Sequence, residues 1–268
     1  MSTCAIEYVL RYENGSVHRK SDELAEEEPL EIRVRGRAIS VTMRTSGHDR
    51  ELAAGFLLSE RVINGAGDIL DIRHCDGNEY DNVMNVQLAP DVALDWKSLT
   101  RHVFASSSCG LCGITSVEAV SKGFVSIVDE SLKIGIAVLS ALPQAMRHAQ
   151  ETFDRTGGLH AAAIFDADGK MVVLREDVGR HNAVDKVLGY ALLNNLLPLK
   201  KHILLLSGRC SFEIMQKALA GGLPVVAAVS APSSLAVSFA AESGQTLIGF
   251  LRGDRMNVYA GFDRVRFE

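Results

Sequence analysis

An alternation of strand and helix patterns runs through residues 202–250, which read HILLLSGRCSFEIMQKALAGGLPVVAAVSAPSSLAVSFAAESGQTLIGF. The apolar runs in it are short and continuous, as in strands buried on both faces. They cover 202–207, 224–229 and 246–250. The segments between them, 212–221 and 234–242, have the spacing of amphipathic helices. The alternation predicts an α/β unit whose sheet is covered by helices on both sides.

The residues before this stretch extend the same unit. Two apolar runs, 162–165 and 171–174, flank Asp166-Ala-Asp-Gly-Lys170, which is a strong hairpin signal. Asn182 is a candidate cap for a helix that runs to Asn195. Further upstream, residues 140–156 have one apolar face at helical spacing and predict a single amphipathic helix.

The N-terminal third is rich in strand patterns. Residues 31–35 and 38–43 alternate with period two and predict an antiparallel hairpin, and 82–88 predicts another strand. Residues 49–59 predict a short helix. We therefore divide the chain into a β-rich N-terminal subdomain at 1–103, a mobile thiol loop at 104–114 and an α/β domain at 115–268. Thr115-Ser-Val-Glu118 has the spacing of a capping box at the start of a helix.

The composition of the 268 residues excludes several classes of protein. Apolar residues make up 47% of the chain and the formal net charge is −5, so the chain lacks the excess positive charge of a general nucleic-acid binder. No apolar run is long enough to span a membrane. Met1 to Arg11 lacks the pattern of a secretory signal, and we expect a cytoplasmic protein. Five cysteines are too few for a disulfide framework.

The pair Cys109 and Cys112 lies in Ser106-Ser-Ser-Cys-Gly-Leu-Cys-Gly113. Two thiols at this spacing can form a redox couple, half of a zinc site, or a carrier that holds sulfur as a persulfide. Zinc needs about four ligands, and the sequence has no second close pair of Cys or His to complete the site. A thioredoxin-type couple sits at the start of a helix, and the two glycines of this motif disfavour a helix through it. We therefore predict no protein-bound metal and leave the other two interpretations open.

Polar side chains collect where three predicted strands end. The clusters are Arg175-Glu-Asp-Val-Gly-Arg-His-Asn182, Ser207-Gly-Arg-Cys-Ser-Phe-Glu213 and Phe250-Leu-Arg-Gly-Asp-Arg255. Ligands of α/β sheets gather at the carboxyl ends of strands, and arginine forks suit phosphate. The ordinary alternative for each cluster is an ion-pair network that ties loops together. No phosphate loop and no dinucleotide glycine fingerprint accompanies them. Together they favour an anionic, phosphorylated ligand.

The element order after residue 159 resembles that of the zinc-dependent deaminases. Those enzymes need His-x-Glu on one helix and Pro-Cys-x-x-Cys on the next. The corresponding positions here are His181-Asn-Ala183 and Gly208-Arg-Cys-Ser211. Because the glutamate is missing and Cys210 has no partner cysteine, we expect the scaffold without the deaminase reaction.

Five motifs in one order resemble the FdhD family of formate dehydrogenase accessory proteins. They are SSSCGLCG at 106–113, REDVGRHNAVDK at 175–186, SGR at 207–209, SAPSSLAV at 230–237 and GFLRGDRM at 249–256. The resemblance implies a cytidine-deaminase-like three-layer domain with an added β-rich part. It also implies a sulfurtransferase that carries persulfide sulfur from a cysteine desulfurase to the molybdenum bis(guanine dinucleotide) cofactor of formate dehydrogenase, which is bound as a substrate.

The same resemblance implies roles for individual residues. Cys109 would carry the persulfide and Cys112 would assist it. The cofactor would be bound by Phe250, Leu251, Arg252, Gly253, Asp254, Arg255, Arg180, His181 and Arg209. The implied partners are the desulfurase, the formate dehydrogenase apoenzyme and a second copy in a homodimer, with no nucleic acid and no membrane. Two alternatives remain open: a non-catalytic chaperone that binds the cofactor, and a thiol–disulfide oxidoreductase.

Overall fold

The computed structural model describes residues 3–75, 82–96, 126–127 and 131–268. Its strands are β1 Cys4–Glu13, β2 Ser16–Ala25, β3 Glu28–Val34, β4 Arg37–Arg44, β5 Ile69–His74, β6 Val83–Leu88, β7 Ile134–Gly135, β8 His160–Asp166, β9 Met171–Asp177, β10 His202–Leu206, β11 Val225–Ala228, β12 Thr246–Arg252, β13 Arg255–Ala260 and β14 Val265–Arg266. Its α-helices are α1 Asp49–Ser59, α2 Ile136–His148, α3 Glu151–Thr156, α4 Arg180–Leu193, α5 Phe212–Ala220 and α6 Ser234–Ser243.

A six-stranded sheet in the order β13-β12-β11-β10-β8-β9 forms the centre of the C-terminal part. Strands β10, β11 and β12 are parallel, and β8 pairs antiparallel with both β10 and β9. β9 therefore points in the same direction as β10, β11 and β12. β13 returns antiparallel at the edge.

Both faces of this sheet are buried. Alternate residues of β10 separate cleanly: Leu204 and Leu206 join a core with α4 and α5, whereas Ile203 and Leu205 join a second core with α2. Because successive strand side chains point to opposite faces, a continuous apolar run fills two cores at once. The predicted α/β class and the predicted three-layer arrangement are confirmed.

A four-stranded sheet in the order β4-β3-β6-β5 accounts for most of the N-terminal part. Its inner side chains, among them Leu30, Ile32 and Val86, share one core with α1 and α4. Helix α1 therefore lies between this sheet and the helical layer of the C-terminal part. The division of the chain at residue 103 stays a prediction, because that boundary falls outside the described residues.

Helices α1 and α4 approach each other through two glycines. A Cβ placed on Gly55 would lie 1.8 Å from the carbonyl oxygen of Asp185, and one placed on Gly189 would lie 1.8 Å from the carbonyl oxygen of Glu51. No side chain fits at either position. The pair thus sets the distance between the two helices and joins the N-terminal sheet to the rest of the molecule.

Most predicted elements are confirmed, and one helix is wrong. The single helix expected over 140–156 is two helices, α2 and α3, which are separated at Ala149 and Gln150. The carboxylate of Glu176 accepts hydrogen bonds from the backbone N–H groups of Thr152 (3.0 Å) and Phe153 (2.8 Å). This carboxylate comes from β9 and satisfies the first turn of α3, so a tertiary contact permits the break.

Asn182 was also predicted wrongly. Helix α4 begins at Arg180 after Gly179, and Asn182 lies inside its first turn. Its Nδ2 donates to the carbonyl oxygen of Met43 (2.8 Å) and to Asp177 (3.0 Å). The side chain therefore links β4, β9 and α4 instead of capping the helix.

The strand pair β1–β2 was not anticipated from the sequence. It forms a separate two-stranded sheet of ten residue pairs, from Cys4↔Ala25 to Glu13↔Ser16. The predicted thiol loop and the helix start at Thr115 lie outside the described residues. No helix in the described part of the chain is long and apolar enough to cross a membrane.

Candidate functional site

The three polar clusters converge on one edge of the six-stranded sheet, as predicted. β9, β10, β11 and β12 all end there, because they point in the same direction. We call this side the carboxyl edge. β8 runs the other way, so it begins at this edge: His160 pairs with Asp177, the last residue of β9.

Three helices begin at the carboxyl edge. α4, α5 and α6 follow β9, β10 and β11, and their N-caps are Gly179, Ser211 and Ser233. The hydroxyl of Ser233 accepts a hydrogen bond from the N–H of Ala236 (3.2 Å). The partial positive charge of helix amino ends makes this side of the sheet favourable for anions.

Part of the first cluster is structural. Arg175 forms a two-pronged ion pair with Glu51 of α1, with Nε–Oε2 at 2.6 Å and Nη2–Oε1 at 2.8 Å, and stacks on Tyr190. Asp177 accepts from Nζ of Lys186 at 2.7 Å, and both side chains are buried. For these residues the ordinary alternative, an ion-pair network, is correct.

Arg180 and His181 of the first cluster and Arg209 and Ser211 of the second cluster lie at the carboxyl edge, where α4 and α5 begin. Nε2 of His181 lies 2.9 Å from Oε2 of Glu213 and 3.2 Å from Oγ of Ser211, which joins α4 to α5. Nε of Arg180 is buried and has no hydrogen-bond partner within the described residues. Neither Arg180 nor Arg209 forms an ion pair in that part of the chain. These two guanidinium groups are therefore not neutralised there.

His160 lies in the electric field of this cluster. Burial lowers the pKa of His160, and the charges of Arg180, Arg209 and His181 lower it further, against the opposite pull of Asp177. The imidazole is consequently neutral near pH 7 and can donate or accept a hydrogen bond. Gly208 passes close to the ring: a Cβ there would lie 3.1 Å from Nδ1.

A cavity of about 740 Å³ opens beside His160. Its apolar wall consists of Pro143, Met146, Phe153, Leu159, Val229 and Leu251. Its polar lining consists of Arg147, Gln150, His160, Ser207 and Arg252, with Gly157, Gly158 and Gly253 at backbone positions. An apolar cleft with a few polar groups is the usual form of a small-molecule site. His160 lines the cavity and also lies within the influence of the charges of Arg180 and Arg209.

The third cluster contributes to the cavity through only some of its residues. Leu251 is fully buried, and Nε of Arg252 donates to the carbonyl oxygen of Val229 (3.1 Å). Phe250 has a positive φ of 53°, an uncommon backbone conformation for a residue with a side chain, at an irregularity of β12. Asp254 lies in the following turn and Arg255 begins β13, and neither residue lines the cavity.

The cysteines differ in their chemistry. Burial raises the pKa of Cys210 to about 12, so this residue is a thiol at neutral pH and a poor nucleophile. Cys109 and Cys112 lie outside the described residues. Within the part of the chain that is described, no three His, Cys, Asp or Glu side chains are close enough together to hold a metal ion.

Sequence reasoning missed His160 and the cavity wall supplied by α2 and α3. His160 starts a strand, whereas the predicted polar clusters lie where strands end. Only the antiparallel pairing of β8 with β9 and β10 brings a strand start to the carboxyl edge. The pair Gly157-Gly158 directly before Leu159-His160 is the one local signal of a close backbone approach.

Similar proteins extend over nearly the whole chain. A protein named sulfur carrier protein FdhD from Streptomyces avermitilis is 52% identical over 264 residues, which is 96% of this chain and 94% of that protein. Proteins of the same name from Streptomyces coelicolor and Mycobacterium tuberculosis are 53% and 51% identical, and they cover 96% and 92% of this chain and 94% and 92% of their own length.

The fold is shared with a solved structure. A protein from Desulfotalea psychrophila, provisionally assigned as a formate dehydrogenase accessory protein, superimposes with a TM-score of 0.81 at 24% identity, covering 99% of this chain and all of that one. The model of the FdhD/NarQ family matches residues 25–266. The chain therefore belongs to the FdhD/NarQ family.

Proposed function

We propose that this protein is a cytoplasmic sulfur carrier. It accepts sulfane sulfur from a cysteine desulfurase and passes it to the molybdenum bis(guanine dinucleotide) cofactor that formate dehydrogenase requires. One observation carries the proposal. The chain is 52–53% identical in sequence, over 96% of its length, to proteins named sulfur carrier protein FdhD. The formate dehydrogenase apoenzyme then receives the cofactor.

In this proposal the two thiols accept one sulfur atom and then release it in two steps. The thiolate of Cys109 attacks the outer sulfur of the desulfurase persulfide, so that Cys109 becomes a persulfide and the desulfurase cysteine leaves as a thiolate. Cys112 then attacks the inner sulfur of Cys109. The two cysteines become a disulfide, and the outer sulfur leaves as sulfide for the metal. A dithiol reductant restores the pair for the next cycle.

The carboxyl edge is our proposed binding site for the cofactor substrate. This cofactor contains two pyrophosphates, which carry strong negative charge, and two guanines, which are flat and partly apolar rings. The guanidinium groups of Arg180 and Arg209, which have no ion-pair partner within the described residues, suit the phosphates, as do the helix amino ends. The cavity beside Arg252 and Gly253 suits a ring system. We assign Phe250, Asp254, Arg255 and His181 to the same proposed site, and Leu251 forms part of the cavity wall.

Sulfur loading tests the reaction class. The purified protein is incubated with a cysteine desulfurase and cysteine, and its intact mass is measured before and after treatment with a reductant. We expect a gain of one sulfur atom that the reductant removes and that Cys109→Ala abolishes. Cys210→Ala is the matched control, because its thiol is buried, and it should load normally. Normal loading of Cys109→Ala would refute the assignment of that residue.

A double variant separates the alternatives. A chaperone that only binds the cofactor would still support formate dehydrogenase activity after replacement of both Cys109 and Cys112 by alanine, whereas a sulfur carrier would not. A thiol–disulfide oxidoreductase would instead turn over on protein disulfides without any desulfurase. Complementation of a strain that lacks its own copy of this protein, with formate dehydrogenase activity as the readout, distinguishes the chaperone from the sulfur carrier. An insulin-reduction assay identifies a thiol–disulfide oxidoreductase.

A further inference from the structure

Gln150 is a buried polar residue in the wall of the cavity. It is 3% exposed and lies at the break between α2 and α3. Its backbone is satisfied, because its N–H donates to the carbonyl oxygen of Arg147 (3.3 Å) and its carbonyl oxygen accepts from the N–H of Asp154 (3.0 Å). Its side-chain amide forms no hydrogen bond with any residue in the described part of the chain. The amide is therefore free to pair with a molecule in the cavity.

A buried amide without a partner is unfavourable for the fold. Buried polar groups nearly always form hydrogen bonds, because an unpaired group loses its contacts with water and gains none in return. The apolar wall residues of the cavity, such as Met146 and Phe153, have no strong donor or acceptor to offer. A ligand group that pairs with the amide would remove this penalty.

The end of the cavity at Gln150 does not suit a phosphate. Helix α2 ends at His148, and the partial negative charge at the carboxyl end of a helix disfavours anions. The first N–H groups of α3 already donate to the carboxylate of Glu176. Arg147 forms an ion pair with Asp154 and stacks on the ring of Phe153 at 4.8 Å. These contacts favour a neutral ring at this end, with the phosphates elsewhere.

The other polar side chains of the cavity mainly donate hydrogen bonds. The hydroxyl oxygen of Ser207 accepts from the N–H of Ala161 (2.8 Å), so the hydroxyl hydrogen is left to donate. Nε of Arg252 is used by the carbonyl oxygen of Val229, which leaves its two Nη groups as further donors. A ring that carries an oxygen on its polar edge fits this lining better than a ring that carries an amino group there.

We propose that Gln150 selects the ring that the cavity accepts. Its amide would pair with the 2-amino-4-oxopyrimidine edge that guanine and pterin share. The ring N–H donates to Oε1 of Gln150, and Nε2 donates to the ring oxygen. Adenine has an amino group in place of that oxygen, so the donor lining works against it. The inference rests on the proposed function, because the molybdenum cofactor contains both guanine and pterin rings.

Isothermal titration calorimetry with GDP, pterin and ADP tests this assignment. Gln150→Met keeps the length of the side chain and removes its hydrogen bonds. We expect it to weaken the binding of GDP, of pterin, or of both about 10- to 100-fold, and to change ADP binding by less than about 3-fold. A loss for GDP identifies guanine as the ring at Gln150, and a loss for pterin identifies the pterin. Gln144→Ala, which replaces an exposed glutamine of α2 outside the cavity, is the matched control.

Two further measurements separate recognition from a structural role. Gln150→Glu, measured at about pH 8 where the carboxyl group is ionised, offers two acceptors to the ring N–H and the amino group. It should bind GDP within about 3-fold of the wild type. Ligand-free Gln150→Met should unfold at a temperature no lower than that of the wild type, because the amide that it removes has no partner in the described region. A clearly lower unfolding temperature would show that the amide stabilises the fold and would overturn the proposal.

The remaining outcomes distinguish this inference from the proposed function. If the wild type binds GDP or pterin and Gln150→Met binds both equally well, or loses ADP to the same extent, Gln150 does not select the ring and the proposed function stands. If the wild type binds neither GDP nor pterin, the cofactor site and this inference both fail. Sulfur loading of Gln150→Met, followed by intact mass, should be normal in every case, because it depends on Cys109.

Discussion

Arg175 and Glu51 form an ion pair that connects the six-stranded sheet to helix α1, which packs against the four-stranded sheet. The guanidinium of Arg175 on β9 donates two hydrogen bonds, of 2.6 and 2.8 Å, to the carboxylate of Glu51 on α1, and both side chains are largely buried. Arg175 belongs to a sequence motif that also contains candidate ligand residues. Its position shows that this part of the motif is structural.

Replacing Glu51 by glutamine should destabilise the protein by about 2–3 kcal/mol, because a largely buried guanidinium loses its counter-charge. Burial alone would raise the pKa of Glu51, but the hydrogen bonds from Arg175 and His48 hold it below its usual value. The carboxylate therefore stabilises the fold above its unfolded pKa near 4.5, and this contribution is lost as the pH falls through the folded pKa. Urea denaturation at neutral and acidic pH measures both effects. Asp71→Asn breaks an exposed pair with Arg73 and should change stability by less than about 0.5 kcal/mol.

Gly189→Ala should destabilise the protein by at least about 3 kcal/mol. The added methyl group would overlap the backbone of Glu51 at 1.8 Å, and backbone cannot rotate away as a side chain can. Helices α1 and α4 would have to separate. Thermal unfolding followed by circular dichroism measures the loss. Gly67→Ala, which meets no atom within 4 Å, is the control, and an equal effect of both variants would refute the account.

Arg252→Ala should weaken GDP binding about 10- to 100-fold. A charge-assisted hydrogen bond contributes about 1.5–3 kcal/mol, and Arg252 lines the cavity with its guanidinium anchored on Val229. Isothermal titration calorimetry with GDP measures the affinity. Arg73→Ala removes an exposed arginine from the N-terminal sheet and should bind GDP normally. Unchanged affinity of Arg252→Ala would remove this residue from the proposed site.

His202 should make the protein less stable as the pH falls below about 6.5. Burial lowers the pKa of His202, although Asp166 and a hydrogen bond with Leu199 act in the opposite direction. The unfolded chain then binds more protons than the folded one between the two pKa values, so stability rises with pH through that range. The contribution is complete above the unfolded pKa and is lost towards the lower folded pKa.

Urea midpoints between about pH 5 and 7.5 test this expectation. His202→Gln should lose less stability on acidification than the wild type. His18→Gln, which replaces an exposed histidine of β2, controls for the loss of one titratable side chain. If the stability of His202→Gln falls with pH as steeply as that of the wild type, His202 is not the source of the pH dependence.

Local sequence patterns predicted the central elements well. Continuous apolar runs such as 202–207 identified buried strands, because a strand between two helical layers has no polar face. Polar clusters after β9, β10 and β12 identified the carboxyl edge, because parallel strands bring their ends together. The prediction of one continuous helix over 140–156 was wrong, because the break between α2 and α3 depends on Glu176, which is distant in sequence.

The sequence by itself determined the class of fold and the strand ends at which charged side chains collect, since these follow from periodicity and chain order. Only the tertiary structure decided which charged side chains are paired within the protein and which can contact a ligand. It neutralises Arg175 with Glu51 and leaves Arg180 and Arg209 without an ion pair in the described region. It also brings His160 to the carboxyl edge through antiparallel pairing. Neutralisation and pairing depend on residues far apart along the chain, and local spacing does not encode those distances.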